Sequence, residues 1–85
     1  MFLHVGQNLS VKKKEIIGIF DIDGNNTPEA TKDFLRRAEK NGDVEMAGYD
    51  LPKSFILTGG KSTKKVILSH ISARTLVQRA DLPLT

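Results

Sequence analysis

Two short stretches carry residues whose types and spacing could do phosphate chemistry. Asp21, Asp23 and Gly24 follow the apolar run Ile16–Phe20, so two carboxylates would leave a strand end at a sharp turn. In such a setting one carboxylate can attack a phosphoryl group while the other moves the proton. Gly59-Gly60-Lys61-Ser62-Thr63 half-spells a phosphate-binding loop.

Neither stretch has the rest of what its chemistry needs. Aspartate-based phosphoryl transfer of the haloacid-dehalogenase type requires a later acid to hold the cation, a lysine and an enclosing cap. A parallel sheet with several crossover helices supplies these, and 85 residues are too few to build one. Asn25 also stands where that arrangement has threonine. Asp21, Asp23 and Asn25 alternate like the first ligands of a calcium loop, but the required glycine falls at Asn26 and the closing glutamate at Lys32. In the later stretch, the first glycine of a phosphate loop falls at Phe55, and the residues after Thr63 read as a strand. His4 and His70 have no acidic or cysteine companions nearby. The expectation is therefore no enzyme, no cofactor and no metal. The Asp-Gly-Asn segment is a turn, since these residues bond locally to backbone and tolerate left-handed conformations.

The elements that position these stretches follow from apolar patterning. Phe2–Val5 reads as a first strand, and "VKKK" leads into a second from Glu15 to Asp21. Thr27, Pro28 and Glu29 open a helix as a hydroxyl cap, a first-turn proline and a first-turn acid. It should run to about Asn41 and stop at Gly42, with Ala30, Phe34, Leu35 and Ala38 inward and Asp33 paired with Arg37. A short strand is expected near Val44–Met46, then strands at Lys53–Thr58 and Lys64–Ser69 joined by a Gly59-Gly60 turn. Ser72 should cap a last helix, Ala73–Ala80, with Ile71 and Leu76 as a hydrophobic staple. The order β-β-α-(β)-β-β-α predicts an α+β fold: a single domain, residues 1–85, with a small, mainly antiparallel sheet and two helices.

Three of these strands are apolar at their centres with little in–out alternation, so both faces of the sheet need cover. The two helices bring few large apolar side chains: Phe34, Leu35, Leu76 and Val77. The uncovered remainder predicts an apolar patch of the kind that marks an interface, and hence a homo-oligomer. There are no cysteines, no apolar run of membrane-spanning length, and an N-terminus too short and polar for a leader, so a cytoplasmic protein without membrane association is expected. Net charge is +3. From Leu51 to Ala80 there are six basic residues and no acid, and Lys12, Lys13 and Lys14 form a second cluster.

Taken together, "FLHVG", "EIIGIFDI", "PKSFIL" and "ISARTLVQR" resemble the RemA/RemB family of bacterial extracellular-matrix regulators, the RemB type more closely, over about residues 2 to 80. The resemblance implies a DNA-binding transcriptional regulator of biofilm-matrix genes without enzymatic activity. It also implies a fold likened to LytTR-type DNA-binding domains and assembly into closed rings with DNA along a basic surface. The arginine that opens the second strand in the RemA type corresponds to Lys14. The arginine pair before the third strand corresponds to Asp50-Leu51-Pro52-Lys53, which keeps only Lys53.

Lys12, Lys13, Lys14 and Lys53 are thus the candidates for phosphate contact with double-stranded DNA, with Lys61, Lys64 and Lys65 as a second set. The alternative is a non-enzymatic oligomeric interaction module that assembles with a DNA-binding paralogue and binds no DNA itself.

Overall fold

The computed structural model describes residues 1–7, 9–22, 27–48, 51–59 and 65–81. Strands β1 (Phe2–Gly6) and β2 (Leu9–Lys12) form an antiparallel hairpin. A 3-10 turn, Lys13–Glu15, leads into β3 (Ile16–Asp21), followed by helix α1 (Glu29–Lys40) and β4 (Val44–Ala47). Strands β5 (Ser54–Thr58) and β6 (Val66–Ser69) then precede helix α2 (Ala73–Ala80). The main sheet has the order β3-β5-β6-β4, antiparallel except for the parallel β4–β6 pair at one edge. The expected α+β fold is observed, with one strand more than the sequence reading placed: β2, in the segment read as a lead-in.

That additional strand changes how the sheet is covered. Its pleat sends Ile56 and Ile67 to one face, where they pack with Leu3, Val5 and Val11 of the hairpin and Leu76 and Ala80 of α2. Phe55, Val66, Leu57 and Leu68 go to the other face, against Phe34, Leu35 and Ala38 of α1. Two helices were expected to leave much of the sheet bare. The hairpin closes most of that gap within the chain, and the apolar remainder lies toward the two sheet edges. Ile17 and Phe20 on β3 stay 66% and 45% exposed, and Met46 on β4 48%. Phe20 still stacks on Phe55, with ring centroids 5.0 Å apart.

Local chemistry sets the helix ends. At the end of α1, the Gly42 N–H donates to Glu39 O and the Asp43 N–H to Ala38 O, at 3.1 and 2.9 Å. This reverse turn needs a left-handed residue, and Gly42 has φ +74°. The start differs from expectation. Pro28, not Thr27, takes the capping position, and its carbonyl accepts from the Thr31 and Lys32 N–H groups. Asp33 pairs with Arg36 at 2.7 Å rather than with Arg37. At α2 the Ser72 hydroxyl accepts from the Thr75 N–H as expected, and Asp81 ends the helix at φ +57°.

Two fully buried serines, Ser54 and Ser69, face each other across β5 and β6. Ser69 Oγ donates to Val5 O at 2.6 Å and accepts from the Ile71 N–H at 3.0 Å. Ser54 Oγ donates to Ile71 O at 2.6 Å. One hydroxyl pair therefore fastens both the hairpin and the approach to α2 onto the sheet. Buried hydroxyls persist only when partnered in this way.

Candidate nucleic-acid interface

The sequence of β2 and the turn after it places the first lysine cluster. Lys12 ends β2 opposite Phe2, and the Lys13 N–H donates to Met1 O at 2.9 Å. Lys13 and Lys14 occupy the 3-10 turn, so all three precede β3 at one end of the main sheet. The same end holds Lys65. Thr58, which pairs with Ile16 at the start of β3, donates its N–H to Lys65 O at 2.9 Å. Lys14 and Lys65 are exposed, while Lys12 and Lys13 are partly covered.

Two carboxylates share this end. Glu15 O accepts from the Gly59 N–H, and Asp43 O accepts from the Val66 N–H. Four lysines against two acids leave a net positive rim. Long lysine side chains keep their ammonium groups in water while their stems lie on the protein.

Lys53 does not join them. It precedes β5, and its carbonyl accepts from the Ile22 N–H just beyond the other end of β3. Six residues of strand, about 20 Å, separate it from Lys14. Lys61 and Lys64 lie outside the described residues, as do Asp23, Gly24, Asn25 and most of the glycine-lysine stretch. Asp21 is an exposed strand end paired with Ser54. Among the described residues, no group of His, Cys, Asp and Glu has the geometry to hold a metal.

The histidines have ordinary surroundings. His4 Nε2 is 2.5 Å from Gln7 O at the hairpin turn, and His70 Nδ1 is 3.4 Å from Ala47 O. A groove of about 580 Å³ runs between the hairpin turn and β4, with Glu45 the one carboxylate among the described residues that line it. Among the described residues, its lining holds no nucleophile beside a base. No helix among the described residues is long and apolar enough to cross a membrane.

The helices differ in how their cations are placed. On α1, Arg36 reaches Asp33 and Glu29, and Lys32 reaches Glu29. Helix α2 has no acid from Ala73 to Ala80 and exposes Arg74, Gln78 and Arg79. Reading for lysine clusters passed over this face. The signal was present in the i, i+4 spacing of Arg74 and Gln78.

The chain was compared with known proteins. A profile of the RemA-like family, described as extracellular matrix regulatory protein A-like, matches residues 2–80. Extracellular matrix regulatory protein B of Bacillus subtilis (strain 168) is 30% identical over 81 residues, covering 95% of this chain and 91% of that protein. The aligned span takes in every strand and both helices, so the likeness is one of the whole fold and not of a motif. The chain belongs to the RemA-like family of extracellular matrix regulatory proteins.

Proposed function

We propose that the protein is a cytoplasmic, non-enzymatic, oligomeric regulator of extracellular-matrix and biofilm genes that binds double-stranded DNA through its lysines. The observation that carries this reading is the gathering of Lys12, Lys13, Lys14 and Lys65 at one end of the sheet in a member of a regulatory family. Lysine holds phosphate as a point charge, so such contacts position a duplex without reading its bases. Lys53, at the opposite end, belongs to the same surface only where another subunit brings its own basic end alongside. Exposed Ile17 and Phe20 on one free edge and Met46 on the other support edge contacts between copies, including closed rings. Repetition of weak contacts around such an assembly raises affinity without new chemistry.

The test is retention of duplex DNA at two salt concentrations, with the mass in solution measured alongside. If a functional unit neutralises roughly six phosphates, the log–log salt slope is about −5. Charge reversal at Lys12, Lys13 and Lys14 should abolish retention and leave the mass unchanged. A flat salt response disposes of the DNA reading.

A second reading is favoured by the separation of Lys53 from Lys12, Lys13, Lys14 and Lys65. In it the chain is an assembly partner of a DNA-binding paralogue. It predicts a stable assembly that retains no duplex even in dilute buffer.

A further inference from the structure

Lysines at a strand end explain attraction to a duplex but not the choice of one sequence over another. Discrimination between bases needs side chains that present paired donors and acceptors to base edges. Arginine and glutamine are two of the few that do, and α2 exposes both. Its buried side is Ala73, Leu76 and Ala80. The opposite side carries Gln78 at its centre, with Arg74 one turn before it and Arg79 beside it, all exposed.

Three further observations bear on this face. Helix α2 has no carboxylate of its own, so Arg74 has no acid within the helix to occupy it, unlike Arg36 on α1. It packs on β1 and β3 and starts at the Lys53 end of the sheet: Ser54, which pairs with Asp21, donates to Ile71 O just ahead of the cap, and the Lys53 N–H donates to Ser69 O. A helix with its side chains is about 10–12 Å across, which fits the roughly 12 Å width of a B-form major groove.

Resting on the DNA-binding reading above, we propose that α2 is the base-reading element, set in the major groove while Lys53, on the side of its start, and the lysines at the far end of the sheet hold the flanking phosphates. Arg74 donates two N–H groups to the O6 and N7 acceptors of a guanine. Gln78 donates to N7 of an adenine and accepts from its N6 amino group. Both side chains are exposed and reach outward from a helix anchored by the Ser72 cap and the Leu76 core contact. Sequence preference therefore resides in α2, while affinity and salt dependence reside largely in the lysines.

The experiment is selection from a pool of random-sequence duplexes by the full chain, carried out for the wild type, Arg74→Ala and Gln78→Ala. Both substitutions sit on solvent-facing helix positions where alanine is well tolerated. The wild type is expected to enrich a motif containing a guanine and a nearby adenine. Arg74→Ala should lose preference at the guanine and Gln78→Ala at the adenine, each by roughly tenfold or more. Retention of unselected duplex should change far less than it does on reversing Lys12–Lys14.

Two results overturn the proposal while leaving DNA binding intact. One is enrichment of the same motif to the same degree by all three proteins. The other is equal weakening on every duplex with a shallower salt slope, which would make Arg74 a phosphate contact. A wild type that retains no duplex in dilute buffer overturns the DNA reading itself, and base reading with it.

Discussion

Substituting Ser69 by alanine tests the claim that one buried hydroxyl pair fastens the hairpin to the sheet. Ser69 Oγ donates to Val5 O at 2.6 Å and accepts from the Ile71 N–H at 3.0 Å. Alanine fits the space but strands an acceptor on β1 and a donor ahead of α2. Leaving a buried polar group unpartnered costs about 1–3 kcal/mol, and the Ile71 group is only partly buried, so the combined loss is about 2–4 kcal/mol. A domain of this size has roughly 4–13 kcal/mol in total. The substitution should therefore lower the melting temperature by roughly 10–25 °C. Ser54→Ala is the internal comparison. It removes a single donor, to Ile71 O at 2.6 Å, and should cost about 1 kcal/mol. The assay is thermal and urea unfolding of both variants at one fixed protein concentration, since assembly raises apparent stability by mass action. Amide exchange adds a spatial readout, with β1 and β2 losing protection before β5 and β6 in Ser69→Ala. Equal losses for the two variants, or a uniform gain in exchange across the sheet, would refute the reasoning that Ser69 ties the hairpin down.

Two glycines give further predictions. Gly6 has φ +142°, and a β-carbon there would meet the carbonyl oxygen of Ala47, which is backbone and cannot turn aside. Gly6→Ala should cost about 3 kcal/mol or more, and thermal unfolding should find the variant barely folded at 37 °C. Gly18 lies beneath the ring of Phe20, where an added β-carbon would sit 2.7 Å from two ring carbons. Gly18→Ala should push Phe20 off Phe55, losing about 1–2 kcal/mol together with the aromatic near-UV signal of the stack. A second change, Phe20→Leu, should restore much of that stability.

Much of the local structure was legible in the sequence because local chemistry decides it. Ser72 caps α2 and Gly42 stops α1, as one hydroxyl and one residue without a β-carbon dictate. The apolar centres Phe55–Leu57 and Val66–Leu68 form strands because their length and branching suit nothing else. The missed strand is instructive. Leu9–Lys12 alternates correctly, but four residues carry little signal, and the lysines after it read as the approach to β3.

Residue types and their spacing were enough for the two helices, the stop of α1 and the cap of α2, the strands with strong apolar centres, the absence of a complete catalytic motif and the family. Tertiary structure alone decided three things. It folded the hairpin back over the sheet, so that Leu3, Val5 and Val11 cover what two helices could not. It brought Lys65 to the end held by Lys12, Lys13 and Lys14, and left Lys53 a strand length away. It also anchored the start of α2 at the Lys53 end of the sheet, with Arg74 and Gln78 exposed. The reason is common to all three. Periodicity and capping act over a few residues, whereas strand pairing and the choice of sheet face are settled by contacts between segments far apart in the chain, and a single sequence does not display those.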